Sequence, residues 1–118
     1  MPMTFTKTRI IPAVALVVAG LTMPPLAAGQ DAAKKGEAVY AAQKCQVCHQ
    51  IAGKGNKNNP LDGVGTKLKA DDIRKWITHP TEMMAQTKST KKPPMPNKYG
   101  KLPAADIDAL VAYMQSLK

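Results

Sequence analysis

Cys45-Gln46-Val47-Cys48-His49 decides the reading of this chain. Two thiols at i and i+3 stand at either end of a turn, and an imidazole follows at once. This spacing lets both sulfurs add to two vinyl groups on one edge of a porphyrin while the histidine lies under the metal. C-x-x-C-H is accordingly the attachment pattern of c-type haem. The chain has two cysteines and two histidines in 118 residues; a random sequence of that composition would contain the run roughly once in two thousand. A thioredoxin-like redox pair would need a βαβ context, which the sequence lacks. A zinc site would need four protein ligands. Only Cys45, Cys48, His49 and His79 are available, and Pro80 restrains the last.

Upstream of the motif the N-terminus has the three parts of a secretory leader. Lys7 and Arg9 are basic, Ile10 to Leu21 is apolar and uncharged, and small residues follow at Ala27, Ala28 and Gly29. A bilayer span needs about 20 apolar residues, so a retained membrane anchor is the weaker reading. Residues 1–28 are therefore expected to be a signal peptide and residues 29–118 one domain, placed in the periplasm or another extracytoplasmic space. Without Lys7 and Arg9 the formal charge falls by two from +9, to +7. A domain of about 90 residues buries little surface and often needs a staple or cofactor. Its aromatics are Tyr40, Trp76, Tyr99 and Tyr113, and a buried macrocycle would add the missing apolar mass.

Downstream and upstream alike, the periodicity is helical. Asp31 to Lys44 is expected as a first helix, with Asp31 as N-cap and Ala33, Gly36, Val39 and Tyr40 as its apolar stripe. A mid-helix glycine costs about 1 kcal/mol against alanine, so Gly36 points to a close backbone approach. Ala52 to Lys67 reads as a loop and Ala70 to Thr78 as a short helix, with Ile73, Trp76 and Ile77 on one face. Thr81 to Leu102 reads as irregular. Pro103 to Lys118 is the clearest helix: Ile107, Leu110, Val111, Met114 and Leu117 repeat at i, i+3, i+4 and i+7. No segment alternates as a strand. The expected fold is all-α, with about three to five short helices and long loops wrapped around one covalently bound haem.

The iron needs a second axial ligand, and methionine is the usual partner of histidine in electron carriers. Met95 stands between Pro94 and Pro96. Prolines fix φ and remove donors, so this segment is stiff and extended, suited to presenting one thioether. Met83, Met84 and His79 are the alternatives; Met114 reads as core.

From Gly36 to Leu117 the chain resembles a small monohaem class I cytochrome c of the bacterial type. Gly36-Glu-Ala-Val-Tyr40 is similar to that family's first helix, Met95-Pro96 to its ligand loop, and Asp106 to Tyr113 to its closing helix. The resemblance implies that the closing helix crosses the first one near Gly36, beside Leu110 or Tyr113. It also implies haem c as the cofactor, bound at Cys45 and Cys48, with His49 and Met95 on the iron. Asn59-Pro60-Leu61-Asp62-Gly63 resembles the family's Gly-Pro-x-Leu-x-Gly loop, with Asn59 where glycine is usual. The likeness implies that the Pro60 carbonyl accepts a hydrogen bond from His49. Trp76 resembles a tryptophan near a haem propionate, or packs between helix and haem.

Lys54, Lys57, Lys67, Lys69, Lys88, Lys91, Lys92, Lys98 and Lys101 crowd the loops. They form either a solvated basic surface or a rim that steers the protein onto acidic redox partners. No nucleic-acid recognition pattern is visible, and membrane association would be peripheral at most. The expected function is single-electron transfer between exported redox proteins, without catalysis, by a monomer or a subunit of a larger redox complex. The rivals are an electron-accepting subunit of a dehydrogenase or reductase, and a haem sensor with a dissociable sixth ligand.

Overall fold

The computed structural model describes residue 20 and residues 25–118. The leader's basic and apolar parts lie outside the described residues. Five α-helices follow in order: α1 (Pro25–Ala42), α2 (Val64–Lys67), α3 (Ala70–Thr78), α4 (Pro80–Thr87) and α5 (Ala104–Ser116). A two-residue hairpin, β1 (Gln50–Ile51) against β2 (Lys54–Gly55), is antiparallel with Gln50 opposite Gly55. Among the described residues no helix is long and apolar enough to cross a membrane.

Three stretches differ from expectation, the first being the loop expected over Ala52 to Lys67, which carries β2 and the single-turn α2. Helix α1 begins six residues before Asp31, which therefore lies inside it rather than capping it. Pro25 suits a first helical position, and Leu26, Ala27 and Ala28 are strong helix formers. The 28/29 boundary thus falls within a continuous helix. Helix α4 occupies a stretch expected to be irregular, because Pro80 starts a helix instead of merely stopping one: it sits at the N-terminal position that needs no N–H. His79 is pushed out of helical geometry before it, at φ −134° and ψ 55°, as a residue preceding proline tends to be. Lys88 then ends α4 in the left-handed region, at φ 52°.

The core is built where α1 meets α5. Val39 and Tyr40 from α1 pack with Ile107, Leu110, Val111 and Met114 from α5, and Ile73 and Ile77 of α3 close the cluster. Gly36 sits at the crossing. A Cβ there would run into the carbonyl of Ala109 and come within 2.6 Å of Tyr113 Cβ, so the contact is backbone to backbone. One turn on, the rings of Tyr40 and Tyr113 meet edge to face at 5.7 Å, the favoured geometry for aromatic pairs. Burial, with smaller help from nearby Cys45, pushes the Tyr40 phenol up to about 12.

Candidate functional site

Helix α1 ends at Ala42, and Lys44 turns the chain at φ 56° into a 3-10 turn over Cys45–Val47. Residues i and i+3 eclipse in such a turn, so Cys45 and Cys48 fall on the same side. The N–H of Cys48 donates to Cys45 O at 3.1 Å, and that of His49 to the same oxygen at 2.9 Å. The two intervening side chains are exposed, Val47 at 66%. The hairpin then folds back beneath the turn. Asn56 N donates to both Gln46 O and His49 O, and Gly55, at φ 108°, leaves room where a Cβ would strike the His49 carbonyl.

These elements form one wall of a cavity of about 490 Å³. Cys45, Cys48 and His49 line it, and so do Pro93 to Pro96, including Met95. Trp76, Ile73 and Ile77 of α3, Leu110 and Met114 of α5, and Met84 of α4 complete a largely apolar lining. All six site residues named from the sequence therefore share one crevice. His79 does not line it; its Nδ1 pairs with Thr78 Oγ1 at 2.8 Å on the exposed side. Met83 is buried in the protein interior and also lies outside it. Trp76 is half-buried on the wall.

The Pro60 expectation needs correction. The carbonyl facing His49 Nδ1 belongs to Asn59, at 3.2 Å. Asn59 O also accepts the Gln50 N–H at 3.1 Å, and Leu61 N–H donates back to Gln50 O at 2.8 Å. The physical cause lies in the proline itself. It restricts the backbone of the residue before it, and Asn59, held in a bend, turns its carbonyl toward the ring. Pro60 contributes to the lining instead. The signal was present in the sequence, because the residue preceding a proline is the restricted one.

A carbonyl can only accept, so the His49 proton sits on Nδ1 and the lone pair on Nε2 is left for a metal. The imidazole's proton affinity is held below its usual range, mainly by burial and further by the Lys91 charge, with the Asn59 hydrogen bond opposing both. A neutral, oriented imidazole is the form that ligates iron. Burial likewise raises Cys45, with the neighbouring Cys48 adding to the effect, against its own backbone hydrogen bond and Lys98. Two thiols on one side of a turn, a neutral imidazole beside them, a thioether lining the same crevice and apolar walls fit a covalently bound haem. Intact mass is expected to exceed the polypeptide by one haem, and acidified organic solvent should leave the pigment on the protein. Colour moving into the solvent would refute covalent attachment.

A family model described as Cytochrome c matches residues 33–118. Comparison with curated proteins and with solved structures returns no match. The matched span contains the attachment turn, the His49 and Met95 loops and the α1–α5 crossing. Its cofactor is covalently attached haem c, and its work is haem-based electron transfer. On fold, site and family match together, the chain belongs to the cytochrome c family.

Proposed function

We propose that this protein carries single electrons between extracytoplasmic redox proteins, with His49 and Met95 as the two axial ligands of its haem iron. The observation that carries the reading is that Met95, stiffened between Pro94 and Pro96, lines the same crevice as His49, Cys45 and Cys48. Haem c supplies a one-electron iron couple. Asn59 orients His49 and fixes its proton on Nδ1. A methionine ligand raises the potential. The apolar walls exclude water, which favours the less charged, reduced state. With His49 and Met95 both holding the iron, no open place would be left for a substrate, and only an electron would pass. Carbon monoxide added to the reduced protein at neutral pH tests this. No spectral change is expected; rapid binding would turn the reading toward a sensor with a dissociable ligand. The extracytoplasmic setting rests on the leader pattern around Lys7, Arg9 and Ile10 to Leu21.

Docking is proposed to be electrostatic. All nine loop lysines are exposed. Among the described residues the ion pairs are Lys35 with Asp106 and Arg74 with Asp108, so none of the nine is neutralised in that way. Lys67 and Lys91 line the crevice, and Lys98 lies over the ring of Tyr99, 5.1 Å from its centre. Exposed Val47, between the cysteines, gives an apolar point of contact beside them. Electron exchange with an acidic partner should slow as salt rises, because the Debye length falls from about 30 Å at 0.01 M to about 8 Å at 0.15 M. Lys92→Glu should reproduce the slowing at low salt. Stopped-flow rates that stay flat across the salt series would reject steering and favour a purely apolar dock.

A further inference from the structure

We propose that Lys91 is a strap across the mouth of the haem crevice, tying the loop that carries Met95 to the loop that orients His49. The proposal rests on reading Met95 as the sixth ligand. Residues 90–96 form neither helix nor strand. Three of these seven residues are prolines (Pro93, Pro94 and Pro96), and proline has no N–H to give. The segment therefore has few backbone donors with which to fasten itself. Among the described residues, the hydrogen bond that joins it to a distant part of the chain comes from a side chain: Lys91 Nζ donates to Asn58 O at 3.4 Å, across 33 residues of sequence.

The anchor on the far side is firm. Asn58 N–H donates to Asn56 Oδ1 at 3.0 Å, and Asn56 Nδ2 donates in turn to Val47 O at 3.2 Å. Asn58 is thus fixed to the turn that holds the two cysteines, and the next residue, Asn59, is the one whose carbonyl meets His49. Lys91 itself lines the crevice. Its own N–H lies 3.4 Å from Ser89 Oγ, which braces the start of the strap. The end of the segment is tied separately, by Thr81 Oγ1 donating to Asn97 Oδ1 at 3.1 Å. Between those ties, a Met95 segment that swings away from the metal must also pull Lys91 off Asn58. Lys91 is a positioning residue: it raises the cost of losing the thioether without touching it.

Imidazole competing for the iron of the oxidised holoprotein measures that cost, since it binds only when the methionine has left. Lys91→Met is expected to bind imidazole roughly threefold to tenfold more tightly, the scale of one modest hydrogen bond. Lys91→Arg, which keeps donor and charge, should return to wild-type affinity. Lys34→Met, the same loss of charge on α1, should not change it. In a Met95→Ala background the Lys91→Met effect should vanish, because there is no thioether left to hold. Wild-type affinity in Lys91→Met, or an equal gain in Lys34→Met, overturns the strap while leaving the ligand assignment standing. If Met95→Ala keeps the absorption signature of a methionine–iron bond, the ligand assignment fails, and the strap fails with it.

Discussion

Met95→Ala is expected to abolish the long-wavelength absorption that a thioether gives the oxidised haem, and to lower the reduction potential. Axial ligands set haem potentials over a range of about 0.8 V, so the drop should be on the order of a tenth of that range or more. No other single change outside Cys45, Cys48 and His49 should approach it. The structure narrows the rivals. His79 does not line the crevice, and its ring pairs with the Thr78 hydroxyl. Met83 is 6% exposed and lies outside the crevice. Met114 lines the crevice but is packed into the α5 face at 7% exposure. Met84 is the remaining competitor, half-buried on α4 and on the crevice wall. Absorption lost in Met84→Ala and retained in Met95→Ala would move the ligand from the proline-rich loop to the helix.

Gly36→Val should produce the largest loss of stability. Overpacking a core costs typically about 1–3 kcal/mol, and that range assumes neighbours able to move. Here the first atom met is the carbonyl of Ala109, in the middle of α5, with Tyr113 Cβ 2.6 Å from the added carbon. Neither yields without displacing a helix. Gly36→Ala should therefore already cost about 1–3 kcal/mol, although alanine is the better helix former by about 1 kcal/mol. Gly36→Val should reach about 3 kcal/mol or more. Urea unfolding of the holoprotein measures both. An alanine variant as stable as the wild type would show that the helices do not approach this closely.

The parts of this fold legible in the sequence are those with a local cause. The α5 stripe, the two isoleucines of α3 and the Gly36 contact follow from period and from the cost of glycine in a helix. The attachment turn follows from the motif itself. What escaped depended on which side of a proline the structure falls. Pro80 closes α3 as the short helix over Ala70 to Thr78 requires, and it also opens α4, which the sequence did not announce. The resemblance implies Pro60 as the carbonyl that accepts from His49, whereas its restricted neighbour Asn59 provides that acceptor. Lys91 escaped for a different reason. Its partner lies 33 residues away, and nothing in a run of exposed lysines distinguishes the one that reaches another loop.

The α1–α5 crossing has a consequence for how the molecule holds together as a chain. Gly36 and Ala109 touch although about seventy residues separate them, so forming this contact closes a loop with an entropic cost of roughly 4 kcal/mol plus a constant. Both His49 and Met95 lie inside that loop. His49 comes early in it, on the N-terminal arm; Met95 comes late, on the arm that leads into α5. A backbone cut between them, in the exposed stretch around Lys88, would leave one fragment with the covalent pigment and His49, and another with Met95. The two pieces would still own complementary helices. The buried face at Gly36 joins not merely two helices but the arms that carry His49 and Met95, the two ligands proposed above, which the chain itself keeps far apart.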